Sequence, residues 1–316
     1  MDEAPRITGA CRLADRGLIR ARGVDAATFL QSQLTNDVVG LDDSQARLAA
    51  FCSAKGRMQA SFVVWRNGSD EFLLACAKDL LAPTLKRLSM FVLRAKCRLD
   101  DASDELALWG LAGAAAGVAT AARSAWQRSG DSIRLPPVGG IERVLRIVPA
   151  GDAAPAGAAI AFDDWNALEV RSGIVTIVAA TVDRFVPQMV NYELVGGVDF
   201  RKGCYPGQEV VARSEYRGTT KRRAFVFAVD GGVAAPGENV HAGASSGGEA
   251  TAAEPVGMVA NSAAGAATGS VALVELRLAA IDSELRLGGP QGAPLRRLDM
   301  PYDVPLEREP APSQSR

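Results

Sequence analysis

Lys202-Gly203-Cys204-Tyr205-Pro206-Gly207-Gln208-Glu209 sets one cysteine between two glycines and directly after Arg201 and Lys202. Thiolate is the nucleophile and the metal ligand, and neighbouring cations favour it where the site is not deeply buried. Gly203 and Gly207 supply backbone that can turn sharply or let a ligand come close. The competing reading is a buried, inert cysteine beside a tight turn, since free cysteine is among the most buried residue types. The flanking charges favour a reactive Cys204, with Lys202 as its candidate catalytic neighbour.

Other candidate chemistry is sparse. The single histidine, His241, lies in a Gly- and Ala-rich stretch and reads as a solvent-facing loop residue. Any Ser-His or Cys-His mechanism would have to use it, which weakens hydrolase readings. Between Arg201 and Arg223 seven cations (Arg201, Lys202, Arg213, Arg217, Lys221, Arg222 and Arg223) stand against two acids, Glu209 and Glu215. That local excess is either an anion-attracting cluster or an ordinary solvated face. Trp165 offers a flat indole face, or is simply core. The five cysteines are odd in number and widely spaced, with no C-x-x-C pair, which suits neither a disulfide framework nor a zinc site.

The bulk numbers bound the reading. A chain of 316 residues, 48% hydrophobic and 22% charged, is long enough for two or three globular domains. Its 35 basic and 36 acidic residues give a net charge of −1, which argues against a general nucleic-acid binder. The first residues include Asp2 and Glu3 and no apolar run, so no secretory signal is expected. The weakly polar run 106–122 is short and Ala/Gly-rich for a membrane span. A reducing cytoplasm is the expected compartment.

The elements that must position these residues read as follows. A strand at 18–22 precedes a short helix capped by Asp25 and carrying Phe29, Leu30 and Leu34. Strands are expected at 46–52, 58–65 and 71–77, with Asn67-Gly68 as a hairpin turn. A helix over 79–90, strands at 94–99 and 106–111, and a helix over 114–126 follow. Pro136-Pro137-Val138-Gly139-Gly140 reads as a loop, 144–148 as a strand, and Asp163-Asp164 as the cap of a helix through Trp165 and Leu168. Strands at 224–229, 254–260 and 271–278 suggest a small C-terminal barrel or sandwich. Helices among meandering strands suggest α+β layers of the ferredoxin-like kind.

An ordered series of motifs resembles the YgfZ branch of the YgfZ/GcvT family. It includes Phe29-Leu30-Gln31-Ser32-Gln33-Leu34-Thr35-Asn36-Asp37-Val38, Ala54-Lys55-Gly56-Arg57, and Trp165 eight residues before Gly173. Phe185-Val186-Pro187-Gln188-Met189-Val190-Asn191 and Leu194-Val195-Gly196-Gly197-Val198-Asp199-Phe200 follow, then the cysteine stretch with Val210-Val211-Ala212-Arg213, Arg217-Gly218 and Lys221-Arg222, and finally Pro301-Tyr302. The resemblance spans about residues 11 to 303. It implies a GcvT-like ring of three domains, two ferredoxin-like α+β domains and a C-terminal β-barrel, around a central folate channel. The implied first domain joins 1–48 to 139–220, with a second domain at 49–138, the barrel at 221–300 and a disordered tail at 301–316.

The same resemblance implies a folate-binding accessory protein that supports assembly or repair of iron–sulfur clusters in client enzymes such as radical tRNA-modifying enzymes. Such a factor is not a classical enzyme; as an enzyme it would be a folate-dependent transferase. Cys204 and Lys202 are the implied working residues. Trp165, Tyr205, Gln208, Glu209, Arg213 and Arg217 are the implied contacts of tetrahydrofolate or a derivative, with no metal bound in isolation. Direct nucleic-acid and membrane partners are not expected. Arg16 stands where the family has a second tryptophan, and Arg171 where both branches often have a glutamate. Ala60 and Ser61 stand where the aminomethyltransferases carry an acidic pair, so general acid/base help for aminomethyl transfer is not expected there. Aminomethyl transfer and a folate-binding scaffold without thiol chemistry remain the alternatives.

Overall fold

The computed structural model describes residues 7–216, 220–243, 254–265 and 269–306. Two five-stranded antiparallel sheets and a closed six-stranded barrel carry the chain. The first sheet runs Gly9–Arg12, Leu106–Ala112, Ile141–Pro149, Ser132–Val138 and Arg128–Ser129. The second runs Ala46–Cys52, Met58–Arg66, Glu71–Ala77, Arg16–Arg22 and Arg98–Asp101. Asn67-Gly68 makes the expected hairpin turn: the Asn67 N–H donates to the Glu71 carbonyl at 2.8 Å and Gly68 holds φ +128°, a value that L side chains rarely adopt.

Helices Ala26–Gln33 and Lys78–Val92 cover the second sheet, burying Phe29, Leu30, Leu81 and Leu88 with Ile19, Phe62 and Leu74. Each such side chain contributes about 1.5–3 kcal/mol when fully buried. Helix Phe162–Arg171 sends Trp165 and Leu168 into the core of the first sheet and packs against the barrel strand Gly257–Ala264. The barrel closes through Arg222–Val229, Ser270–Arg277, Gly257–Ala264, Asn239–Ala242, Leu285–Leu287 and Pro294–Arg297.

Besides the chain between Asp101 and Leu106, two short links tie the sheets together. The chain leaves the first sheet at Arg12 and enters the second at Arg16, so Leu13, Ala14 and Asp15 span the seam. Trp126, at φ +65°, makes the other crossing: its N–H donates to the Arg134 carbonyl at 2.7 Å and its carbonyl accepts from Ala46 N–H at 2.8 Å. The backbone turns extended at Thr120, with φ −148° and ψ 143°, so the helix expected over 114–126 spans only Ala114–Ala119.

Other expectations are corrected by tertiary pairing. The strand expected at 94–99 is Arg98–Asp101. Pro136 and Pro137 lie in a strand, where the register shifts between Ile141 and Arg143; a bulge tolerates residues that cannot donate to the ladder. His241 is half-buried in the strand Asn239–Ala242, opposite Arg286. The expected boundary at 48/49 cuts the strand Ala46–Cys52, and Arg16–Arg22 pairs with Glu71–Ala77. The first sheet instead joins residues 9–12 to 106–149. Gly17 lets helix Lys78–Val92 approach the second sheet closely: Leu81 Cδ1 lies 2.2 Å from where a Cβ would stand. Tyr302 is held in the fold, its hydroxyl donating to the Gly173 carbonyl at 2.7 Å, so the disordered tail expected from residue 301 does not include it; residues 307–316 lie outside the described residues. No helix among the described residues is long and apolar enough to cross a membrane.

Candidate functional site

Cys204 is exposed, whereas Cys11, Cys52 and Cys76 are buried and Cys97 is half-buried. Burial pushes Cys52 and Cys76 up to about 12 and Cys97 up to about 11. The loop that carries Cys204 is held by backbone contacts on both sides. Gly207, at φ +80°, lies against the Ser53–Arg57 turn so closely that a Cβ would stand 2.4 Å from the Ser53 carbonyl oxygen and 2.7 Å from Gly56 Cα. Gly56, at φ +70°, is closed in the same way by Val210. Two motifs separated by some 150 residues therefore meet with no room for a side chain between them.

Lys202 points inward. Its Nζ donates to the Gln31 carbonyl and, at 2.5 Å, to the Leu34 carbonyl at the end of helix Ala26–Gln33. Those carbonyls have no partner further along the helix, and an ammonium suits that end of the dipole. Nζ also sits 5.1 Å from the centroid of Tyr205, whose ring is buried. Burial lowers Lys202 to about 8, against the upward pull of Asp37, Asp199 and Cys204. Burial also pushes Tyr205 up. Lys202 thus anchors the loop that presents Cys204.

The remaining loop residues disperse. Gln208 opens helix Gln208–Tyr216, where Glu209 and Arg213 pair with each other on the exposed face. Arg217 lies outside the described residues. Arg222 pairs with buried Glu275, and Arg223, itself buried, pairs with buried Glu193. The cation-rich segment is therefore not one anion-binding patch: part of its charge is neutralised inside the barrel region.

A second site forms at the seam between the sheets. A cavity of about 70 Å³ is lined by Leu13, Arg16, Trp126, Arg143, Trp165 and Glu169, among others, and adjoins a wider cleft of about 420 Å³. Arg16, Glu169, Ile174 and Thr176 line both. Glu169 accepts from Arg143 Nη1 at 2.6 Å and from Arg16 Nη2 at 3.4 Å, and Arg16 Nη1 donates to the Thr176 hydroxyl at 2.9 Å. Trp165 is 1% exposed; its indole rests on Gly110, with the Arg143 guanidinium 5.8 Å from the ring centroid. Trp165 Nε1 and Asp15 Oδ1 are buried and have no hydrogen-bond partner among the described residues. Burial raises the Asp15 carboxyl, opposed by the charge of Arg16.

Cys204 does not line this cavity, so the expected residues fall into two places: Lys202, Cys204, Tyr205 and Gln208 on the loop, and Trp165 at the seam. Arg171 is exposed, and Ala60 is buried in the core of the second sheet. Ser61 lines the cavity and accepts the Ile177 N–H at 2.9 Å. Sequence reading passed over Asp15, Arg143 and Glu169. Glu169 had a signal, since it stands four residues after Trp165 and so shares its helix face. Arg143, inside an apolar strand, had none.

Residues 9–127 match the GCVT N-terminal domain. A tRNA-modifying protein YgfZ from Cronobacter sakazakii is 31% identical over 246 residues, covering 72% of this chain and 74% of that protein. One of the same description from Klebsiella pneumoniae is 32% identical over 231 residues, covering 66% of this chain and 68% of that protein. Among solved structures, glycine cleavage system aminomethyltransferase T from Bartonella henselae superposes with a TM-score of 0.70 at 14% identity. That match covers 95% of this chain and 87% of that one, a likeness of fold alone.

Proposed function

We propose that this chain, which belongs to the YgfZ family, is a folate-binding accessory protein for assembly or repair of iron–sulfur clusters in client enzymes, including tRNA-modifying ones. The observation that carries the reading is the exposure of Cys204 alone among five cysteines, on a loop fixed by Lys202, Gly56 and Gly207. One thiolate cannot hold a cluster by itself, so the client or a small thiol must supply the other ligands to this substrate. Lys202 keeps the loop on the helix end, and Gly203 leaves the approach to the sulfur open.

The seam cavity fits a folate ring system. Its walls are largely apolar, with an indole whose Nε1 is buried and has no partner among the described residues, and the adjoining cleft brings Asp15, whose buried Oδ1 has none either. Buried polar groups are ordinarily hydrogen-bonded, so orphaned ones beside a cavity suit a ligand that completes them. Asp15 would accept N–H groups of the pterin, Trp165 would donate from Nε1, and Arg16 with Glu169 would stand at the opening to the wider cleft, where a carboxylate tail would find Arg16 and Lys78. When bound, a reduced folate supplies one-carbon chemistry.

Aminomethyl transfer is the second reading, favoured by one observation: Glu169 in the cavity and Asp15 in the adjoining cleft supply carboxylates that Ala60 and Ser61 do not. The deciding experiment titrates tetrahydrofolate into the protein while following indole fluorescence, with Trp165→Phe to assign the signal among four tryptophans. The accessory reading expects saturable quenching, mostly lost in the variant, and no methylenetetrahydrofolate from an aminomethylated carrier protein. Catalytic production of methylenetetrahydrofolate would overturn it in favour of transfer.

A further inference from the structure

We propose that the basic, apolar end of helix Lys78–Val92 and the turn after it form the docking surface for an acidic protein partner, the client that meets Cys204. The identity of the partner class rests on the functional reading above; the surface stands on its own geometry. Met90, Phe91 and Leu93 are 59%, 38% and 87% exposed. Leu93 holds φ +41°, a conformation that is costly for a residue with a bulky side chain. Phe91 stands edge-on to buried Phe51 with centroids 6.4 Å apart, and Arg87 lies 5.4 Å from its ring centroid. Three neighbouring apolar side chains left in water at one helix end are what interfaces cover.

Charge selects the partner. Residues 80–99 contain Lys86, Arg87, Arg94, Lys96 and Arg98 and no acid. All five are exposed, and none forms an ion pair among the described residues. Asp25 accepts the Lys96 backbone N–H at 2.7 Å, and Asp79, Asp100 and Asp101 stand at the two ends of the segment. A local excess of five cations on a chain of net charge −1 is a segregated patch that attracts and orients an acidic surface. The Phe91 ring is already taken up by Phe51 and Arg87, and Met90 and Leu93 have no ring on which a base could stack, so an apolar recess in a protein suits the patch better than a nucleic acid.

The patch lies beside the thiol loop. Lys202 Nζ bonds the Leu34 carbonyl, Leu34 bridges to Phe51, and Phe51 carries Phe91. A protein seated on Met90, Phe91 and Leu93 would thus bear, through Phe51 and Leu34, on the same helix end that anchors the loop of Cys204, whereas a lipid surface there would give the thiol nothing to act on.

The test uses the full chain and a purified iron–sulfur enzyme that modifies tRNA, with affinity measured at low and at physiological salt. Expected is binding that the charge reversal Lys86→Glu/Arg87→Glu/Arg94→Glu weakens at least about tenfold at low salt, and that Met90→Ser/Leu93→Ser weakens about tenfold at either salt. Cys204→Ser should bind as the wild type does. All five substituted positions are exposed, so unchanged unfolding curves serve as the folding control. Wild-type binding that neither patch variant weakens would overturn the docking surface and leave the functional reading standing. Patch variants that lose binding to phosphatidylglycerol vesicles or to unmodified tRNA, with client binding intact, would reassign the surface and overturn the proposal. No wild-type binding to the enzyme would remove both the surface and the client reading.

Discussion

The thiol loop and the seam cavity are built in opposite ways. The loop is a contiguous stretch, fixed by glycine-to-backbone contacts and one inward lysine, and its sulfur faces water. The cavity and its adjoining cleft draw on residues far apart in the chain, among them Asp15 in the cleft and Arg143, Trp165 and Glu169 in the cavity, and keep a charged cluster largely out of water. Holding charge in a buried place is costly unless it is paired, which suits a rigid small molecule that completes the pairing. An exposed thiol has no walls of its own and needs a second macromolecule to close the site around it.

The sharpest way to break this contrast is to measure thiol reactivity. Cysteines held at about 12 expose roughly one thiolate in ten thousand at pH 8, and they are also buried. Limited iodoacetamide treatment followed by peptide mapping should label Cys204 more than about a hundredfold faster than Cys52 or Cys76. Early labelling of either buried cysteine would remove the physical basis for singling out the loop.

The cavity side is tested by Glu169→Ala, which leaves Arg143, 1% exposed, without its carboxylate. Breaking a buried pair from one side costs about 3–5 kcal/mol, and replacing both partners by apolar residues recovers much of it. Urea unfolding should show that loss in Glu169→Ala and a smaller one in Glu169→Leu/Arg143→Met. A neutral single variant would mean that the pair does not hold the seam together. Asp15→Asn is the finer probe. Because Oδ1 has no protein partner, stability should barely change, while tetrahydrofolate affinity should fall about 10–100-fold, as expected for one charge-assisted hydrogen bond. Unchanged affinity would take Asp15 out of the ligand contacts.

The two sites also differ in how far the sequence reveals them. The Asn67-Gly68 turn, the strands 46–52 and 71–77 and the cysteine loop are local, and turn chemistry and alternation mark them. The cavity depends on which strands become neighbours. Arg16–Arg22 pairs with Glu71–Ala77, Gly17 admits Leu81 of the covering helix, and Trp126 reaches both sheets; none of these facts can be read from periodicity. Asp15 looks like a turn residue until the crossing between sheets sets it beside a cavity. Lys202 shows the reverse case. Its sequence position suggests a partner for the thiol, and only the contact with the end of helix Ala26–Gln33 makes it an anchor.

The central claim is that Cys204 works on behalf of iron–sulfur clients. In cells whose own copy of this gene is deleted, Cys204→Ser should be present at the wild-type protein level, since the side chain is exposed and fills no core. The activity of an iron–sulfur tRNA-modifying enzyme, read as the modified nucleoside in total tRNA, should fall toward that of the deletion. Wild-type levels of the nucleoside at equal protein level would contradict the account and leave the loop without a thiol role.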